Sequence, residues 1–131
     1  MNKYDLKDRL QDFAIRIIKM AEKLPDTASG LIVKKQIIRS GTSPGANYRA
    51  ACISKSGKDF INKLKIVEEE LDETIYWQEI IIKTNMLKSD LLQSLMQENK
   101  ELLSIIISSI KTSKNSLLSS KYNNDEISDK L

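Results

Sequence analysis

The chain of 131 residues contains no histidine, one cysteine and two prolines, and aromatic residues make up 5% of it. Histidine is the commonest general base and metal ligand in proteins, so its absence removes most acid-base and metal chemistry from consideration. A single cysteine excludes a disulfide within the chain and a cysteine-rich zinc site. We interpret Cys52 as a small packing residue, because no histidine is present to activate its thiol.

Long hydrophobic runs are also missing. The longest apolar runs are a few residues, as in the segment IIISSI at 105–110, whereas a helix that spans a bilayer needs roughly 20. The first residues, MNKYDLKDRLQDF, carry a charge every two or three positions and lack the apolar centre of a signal peptide. We therefore predict a cytoplasmic protein with no membrane partner.

The residues that are present favour helices. Leu, Ile, Lys, Ser and Glu dominate the composition, a mixture typical of all-α domains. An apolar stripe, which predicts a first helix, recurs in steps of four and three at Leu6, Leu10, Phe13, Ile17, Met20 and Leu24. Pro25 ends this helix. Asp26, Thr27 or Ser29 can cap a second helix, in which we expect Leu31 and Ile38 to face inward.

Two further helices follow. Ser56 precedes a third helix of about 27 residues, with Asp59 placed to complete its cap. Its stripe continues through Phe60, Leu64, Val67, Leu71, Thr74, Gln78 and Ile81. Asn85 ends it, and a fourth helix capped by Ser89 carries Leu92, Met96, Asn99, Leu103, Ile106, Ile110 and Leu117. The pattern predicts an antiparallel up-down-up-down four-helix bundle over residues 1–121 and a polar, disordered tail at 122–131.

The segment SGTSPGANYRAACISKSGKDF, residues 40–60, interrupts this pattern with glycine and proline. A phosphate-binding loop would need the motif G-x-x-x-x-G-K-[ST] after a strand, and the segment has neither. Ser43 before Pro44 resembles a cap followed by a first-turn proline, which predicts a kink or a break in the second helix near Pro44. Ser43 and Asn47 can then bond the backbone groups that the proline frees.

Charge is distributed unevenly along the chain. Residues 26–58 carry six basic residues against one acidic residue, and residues 59–85 carry seven acidic residues against three lysines. Opposite charge on adjacent segments favours contacts within the chain or between copies of it. The same bases are candidate contacts to RNA phosphates: Lys34, Lys35, Arg39, Arg49, Lys55 and Lys58. We hypothesise that Arg39 or Arg49 faces Glu70 or Glu73, within one bundle or across an interface.

The acidic cluster of the third helix, Glu68 to Glu73, raises the possibility of an enzyme. Four-helix bundles hold di-iron centres with paired Glu-x-x-His motifs, and a chain without histidine cannot build that version. We interpret the cluster as a solvated or interfacial face. We predict no catalytic residue, no metal ligand and no cofactor.

The third helix carries more apolar surface than one core requires. Ile66, Trp77 and Ile80 lie on a different side from the core stripe, among Glu70 and Glu73. Large apolar side chains outside a core indicate a subunit interface. The alternative is that Trp77 only covers the edge of the bundle.

Part of the sequence resembles a known family, over residues 5–115 and most specifically over 39–77. The matching residues are Arg39-Ser40, Ser43, Ala46-Asn47-Tyr48-Arg49, Ala51, Ser56, Asp59-Phe60, Lys63-Leu64, Glu69-Glu70, Asp72-Glu73-Thr74 and Tyr76-Trp77. They look like the signature of the bacterial 23S rRNA intervening-sequence proteins. Two positions depart from it, since many members have an acid where this chain has Ala50 and a leucine where it has Gln78.

The resemblance implies an antiparallel four-helix bundle that assembles into a ring-shaped homopentamer. Some members are encoded inside insertions of bacterial 23S rRNA genes, and the related accessory variability determinants bind nucleic acid and a reverse transcriptase. Most members have no established biochemical function, and the resemblance supplies no catalytic residue.

We therefore expect a non-enzymatic homo-oligomer, a pentamer by resemblance, that associates with RNA or a ribonucleoprotein through its basic surface. The alternative is a structural scaffold that binds a protein partner and no nucleic acid. The sequence identifies neither the RNA nor a protein partner.

Overall fold

The computed structural model describes the backbone of residues 2–130 and the side chains of residues 2–120. Four α-helices make up this part of the chain: α1 Lys3–Ala21, α2 Ala28–Cys52, α3 Gly57–Lys83 and α4 Gln93–Lys130. A short 3-10 helix, Ser89–Leu91, precedes α4, and the described residues contain no strand. The all-α class and the four-helix bundle are confirmed.

Polar side chains cap three of the helices. Asn2 Oδ1 accepts from the amides of Tyr4 and Asp5 at 2.9 and 3.0 Å and begins α1. Thr27 Oγ1 accepts from the Gly30 amide at 3.1 Å, which selects Thr27 from the three predicted caps of α2. The predicted start of α3 at Ser56 is also correct.

Ser56 Oγ accepts from the Asp59 amide at 3.1 Å and so begins α3. The Asp59 carboxylate binds Lys63 Nζ at 2.8 Å, within the helix. The helix ends at Lys83, and Asn85 follows in the left-handed region with a φ of 58°, a conformation that asparagine tolerates better than most residues. Gln93 begins α4, four residues after the predicted cap at Ser89.

Pro44 lies inside α2, and the helix continues on both sides of it. The predicted alternative of a break at Pro44 is therefore wrong, while a kink stays a prediction. Pro44 has no amide hydrogen, so the carbonyl of Ser40 lacks its usual main-chain donor. Asn47 Nδ2 donates to the carbonyl and the Oγ of Ser43 at 3.0 and 2.8 Å, one turn later than the carbonyl that the proline frees.

The predicted apolar stripes form the core. All six residues of the first stripe are buried, although the last, Leu24, follows the end of α1 at Ala21. The stripe residues of α3 are also buried from Leu64 onward, while Phe60 is half-buried. The prediction that Leu31 faces the core is wrong, because Leu31 is 51% exposed. Val33 and Ile37 are the residues of α2 that face the core instead. In α4, Leu102 is buried, whereas Leu117 is 43% exposed.

Glycine allows α1 and α2 to approach closely. A Cβ on Gly41 would lie 2.7 Å from Ile17 Cγ2, and one on Gly45 would lie 3.6 Å from the Leu10 backbone. Later residues of α2 therefore meet earlier residues of α1, the order of neighbouring antiparallel helices. The α2–α3 link is four residues long and this pair packs most extensively, so α3 also runs back along α2.

The seam between α1 and α4 has the sparsest helix packing around the bundle. Arg9 joins it by a two-pronged ion pair, Nε to Glu98 Oε2 at 2.9 Å and Nη2 to Glu98 Oε1 at 2.5 Å. Arg9 also donates to Glu101 at 2.7 Å, and Arg16 donates to Ser94 at 2.5 Å. The hydrogen bond to Glu98 raises the Arg9 pKa above its ordinary value. Polar contacts therefore close the ring of helices.

No helix among the described residues is long and apolar enough to cross a membrane. The predicted tail at 122–131 and the domain limit at 121 stay predictions, because the side chains of residues 121–131 lie outside the described part of the chain.

Candidate subunit and nucleic-acid interface

The five residues that we predicted as a subunit interface form one strip along the outside of α3. Ile66, Glu70, Glu73, Trp77 and Ile80 follow one another in steps of three and four, so they share a side of the helix. Ile66 is 41% exposed, while Trp77 and Ile80 are half-buried and contact the core with their inner edges. We refer to these five residues as the α3 ridge.

Arg39 of α2 binds both carboxylates of the α3 ridge. Its Nη1 donates to Glu70 Oε2 at 3.0 Å and its Nη2 donates to Glu73 Oε2. Trp77 Nε1 donates to the same Glu73 oxygen at 3.0 Å. The hypothesised contact between these charges thus exists within the chain, through Arg39. Its side chain is 48% exposed, so solvent screens the pair and its contribution to stability is small.

Further aromatic and apolar side chains lie beside the end of the α3 ridge that carries Trp77 and Ile80. Tyr76 stacks on Trp77 with ring centroids 5.0 Å apart and is 51% exposed. The contact between Arg39 and Glu73 fixes the level of α2 against α3. Ile32 lies two turns before Arg39, and Ile80 lies two turns after Glu73, so both occupy the same level and side of this antiparallel pair. Ile32 is 60% exposed.

The six candidate RNA contacts divide into two groups. Arg39 is held by Glu70 and Glu73, and Lys34 Nζ lies 3.8 Å from Asp26 Oδ1. Four others are exposed and form no ion pair with the described side chains of residues 2–120: Lys35, Arg49, Lys55 and Lys58. Lys55 lies in the link between α2 and α3 and Lys58 lies at the start of α3, away from the middle of the bundle.

A groove of about 390 Å³ runs between the outer sides of α1 and α2. Its lining includes Lys7, Asp8 and Ala14 from α1 and Gly45, Ala46 and Arg49 from α2. Small residues form its floor because the two helices approach closely at Gly45, where Leu10 is the neighbour. Charged residues lie at one end. We refer to it as the α1–α2 groove.

A larger groove of about 1000 Å³ lies beside the start of α4. Its lining is mixed, with Asp90, Gln93, Met96, Lys100 and Glu101 among the residues. Among the described residues there is no group of three or more acidic or cysteine side chains placed to hold a metal ion.

Other residues of the family signature occupy structural positions. Thr74 is fully buried, and its Oγ1 lies 2.9 Å from Ser40 Oγ and 2.8 Å from the Glu70 carbonyl oxygen. Phe60 packs against the core from the start of α3. Ser43 and Asn47 bond one another as described above. Glu69 is exposed and lines a shallow groove beside Leu103 and Ile107.

Tyr48 and Cys52 lie one turn apart on α2, against the core. Tyr48 is 6% exposed and Cys52 is half-buried. Burial raises the Tyr48 pKa to about 12, and the neighbouring Cys52 thiol contributes to the rise. Cys52 packs against the core residues, the location that the packing interpretation predicts.

Sequence periodicity missed three features of the structure. Ile15 and Ile18 are 44% and 38% exposed beside the α1–α2 groove, although they stand within the apolar run of α1. The groove itself combines residues from two helices, so no single motif marks it. The third feature is the buried hydrogen bond between Gln78 and Asn99, at 2.8 Å. Each is the only side-chain amide on its predicted core stripe, and this was the signal that could have paired them.

Comparisons with known proteins agree on the family. The family model described as 23S rRNA-intervening sequence protein matches residues 2–108. A crystal structure of a protein with unknown function, from the S23 ribosomal protein family of Bacteroides thetaiotaomicron VPI-5482, is similar with a TM-score of 0.78 and 39% sequence identity. The alignment covers 85% of this chain and 99% of that one. A comparison with curated proteins finds no match.

Proposed function

Because the chain belongs to the 23S rRNA-intervening sequence protein family, we propose that it is a non-enzymatic, cytoplasmic homo-oligomer, a pentamer, that binds RNA through its basic surface. The observation that carries the RNA proposal is the exposure of Lys35, Arg49, Lys55 and Lys58 without carboxylate partners among the described side chains. Basic side chains that are not already paired can exchange bound water and ions for phosphate contacts.

Oligomerisation strengthens the argument for RNA. Four exposed bases per copy give weak attachment, and repetition of the patch around a ring multiplies the contacts to one strand. Few of the described tyrosines are free to stack on bases, since Tyr48 is buried, Tyr76 stacks on Trp77, and the exposed ring of Tyr4 has Lys3 and Lys7 over it. The expected binding is therefore electrostatic, with little preference for base sequence.

The first test is light-scattering mass during size exclusion of protein purified at low salt, with the ratio of nucleic-acid to protein absorbance read across the peak. We expect a pentameric mass that carries nucleic acid, which dissociates as salt rises. A monomer contradicts the oligomer, and a clean oligomer that binds no added RNA contradicts the RNA role.

The second test locates the contacts. Lys55→Gln with Lys58→Gln should weaken RNA binding and reduce the slope of log affinity against log salt by about 0.7 for each phosphate that the protein no longer neutralises. Lys23→Gln with Lys88→Gln is the matched control, because it removes the same charge from exposed residues of the links at the opposite end of the bundle. Equal weakening in both variants would contradict a localised site.

The second candidate function is a scaffold that binds a protein partner and no nucleic acid. It is favoured by Arg39, the most centrally placed of the six bases, whose guanidinium is already bound by Glu70 and Glu73. Without this base, the remaining cations are spread along α2 and its link to α3. A pentamer that stays free of nucleic acid at low salt would support the scaffold.

A further inference from the structure

Exposed apolar side chains lie on two adjoining sides of the bundle, and a further group lies on or just before α4: Leu91, Ile107, Leu117 and Leu118. On the outer side of the α2–α3 pair lie Ile32, Ile66, Trp77 and Ile80. On the outer side of the α1–α2 pair lie Ile15, Ile18 and Leu31, which continue the rows of the α1–α2 groove: Ile18 is one turn beyond Ala14, and Leu31 is three turns before Thr42. The α1–α4 side carries the ion pairs of Arg9 and the hydrogen bond of Arg16 instead.

The two apolar surfaces differ in shape. The α3 ridge projects from one helix and carries the large side chains of Trp77 and Ile66. The α1–α2 groove is a depression between two helices with Ala14, Gly45 and Ala46 in its lining. A projecting helix face and a groove of small residues are the two halves of a helix packing contact.

The two surfaces also differ in charge. The α3 ridge has two carboxylates, Glu70 and Glu73, against one cation, Arg39. The α1–α2 groove has two cations, Lys7 and Arg49, against one carboxylate, Asp8. Each surface therefore has an excess of the sign that the other attracts. Two copies of the same surface would bring like charges together.

We propose that the α3 ridge of one copy packs into the α1–α2 groove of the next copy, with α2 facing the ring axis. This inference rests on the proposed homo-oligomer and names its contact. Arg49 of the groove then faces the carboxylates of the neighbouring ridge, and Lys35, Lys55 and Lys58 are left for RNA. Because the surfaces are different, the contact is head-to-tail and repeats from copy to copy. Surfaces on adjoining sides of a four-helix bundle face directions roughly 90–120° apart, and such a contact closes after about four to six copies.

The position of α2 follows from the same geometry. In such a ring each subunit is a wedge. The edge between its two contact surfaces points towards the ring axis. That edge is the outer corner of α2, between the α1–α2 groove and the α3 ridge. Thr42, Ala46 and Ala50 lie there as small residues, with Lys35 exposed two turns before Thr42. The ring therefore has a basic lining from α2, and α4 forms its outer wall.

Mass measurements with paired variants test the contact. Ile66→Lys damages the ridge, and Ala46→Arg fills the groove at an exposed position. We expect each variant to be a monomer. Their equimolar mixture should form a one-to-one complex, because one intact ridge meets one intact groove, and no ring. The matched controls are Ile107→Lys, at a residue that is 47% exposed on α4, and Ser108→Arg, exposed on α4; both should keep the wild-type mass.

The results separate the two proposals. A monomeric wild-type protein contradicts the homo-oligomer itself. An oligomeric wild-type protein whose mass survives Ile66→Lys and Ala46→Arg contradicts only the assigned interface, and so does a mixture that stays monomeric. Circular dichroism melting of each variant identifies any that fail to fold; for such a variant, Ile66→Ser or Ala46→Gln replaces it in the same mixing experiment.

Crosslinking tests the direction and the axis. With Cys52→Ser as the background, Ala46→Cys and Ile66→Cys together should give a ladder of species with a bifunctional thiol reagent, ending at the ring size. A contact between identical surfaces would stop at pairs. Lys35→Cys alone, at an exposed position outside the groove lining, should crosslink copies across the axis, whereas Ser108→Cys should not. The reverse pattern would place α4 at the axis and contradict the proposal.

Discussion

The side-chain amide of Gln78 donates to Asn99 Oδ1 at 2.8 Å, and Asn99 Nδ2 donates to the Leu71 carbonyl oxygen at 2.9 Å, so that two fully buried amides join α3 to α4. Gln78 Oε1 is buried and has no hydrogen-bond partner among the described atoms. The pair is therefore a polar contact inside an otherwise apolar core, and it is partly unsatisfied.

Gln78→Leu alone should destabilise the bundle by about 1–3 kcal/mol, because it leaves Asn99 Oδ1 buried without a donor. Gln78→Leu with Asn99→Leu should recover most of that stability or exceed the wild-type value, since both polar groups are then removed together. Chemical denaturation at one protein concentration measures both. A double variant that is less stable than either single variant would contradict this account.

Gly41→Ala and Gly45→Ala should have opposite effects. A Cβ at Gly41 would lie 2.7 Å from Ile17 Cγ2, where Ile17 is fully buried, so we expect destabilisation of about 1–3 kcal/mol. At Gly45 the nearest atom would be 3.6 Å away, and the higher helix propensity of alanine should stabilise by about 0.5–1 kcal/mol. Thermal melting of the two variants compares them directly, and the same sign in both would show that helix spacing does not decide the outcome.

Stability should fall in strong alkali because of Tyr48. Burial holds its pKa at about 12, above the ordinary value of 10.0, so the unfolded chain releases the phenol proton first. The stabilising contribution is complete below pH 10.0 and disappears as the pH rises through about 12. Denaturation across this range should show a steeper decline for wild type than for Tyr48→Phe. Tyr76→Phe, at an exposed tyrosine, should behave like wild type.

Trp77 is the only tryptophan of the chain, so its fluorescence reports on the α3 ridge. Dilution that separates the copies should move its emission to longer wavelength, because a half-buried indole becomes more accessible to water. Ile66→Lys should show the shifted emission at every concentration, and Ile107→Lys should follow wild type. Constant emission while light scattering records dissociation would mean that Trp77 lies outside the interface.

Much of the bundle could be predicted from single helices. The stripe from Leu6 to Leu24 predicted the core side of α1, and the cap residues Thr27 and Ser56 begin the helices that their sequence positions indicate. These features depend on residues within one or two turns of one another. The opposite charges of α2 and α3 likewise predicted the contact between Arg39 and Glu73, because the two helices are neighbours in the chain.

Other features required the packed structure. Ile15 and Ile18 belong to a nearly continuous apolar run, so their exposure depends on where α2 and α4 approach α1. Leu31 was expected inside for the same reason and faces out, because the close contact at Gly41 rotates α2 to bury Val33 and Ile37. Judged from neighbouring residues alone, Pro44 indicates a helix boundary. In the structure α2 packs along its whole length, and the helix continues through Pro44.

The polar seam between α1 and α4 has a consequence for the order of folding. The extensive contacts join helices that are consecutive in the chain, and only this seam brings the first helix to the last. Local contacts form early in folding, and long-range ones close late. Glu98→Gln should therefore leave the refolding rate nearly unchanged and increase the unfolding rate, the behaviour of an interaction absent from the transition state. Stopped-flow denaturant jumps would measure both rates, and slower refolding would assign the seam to the folding nucleus.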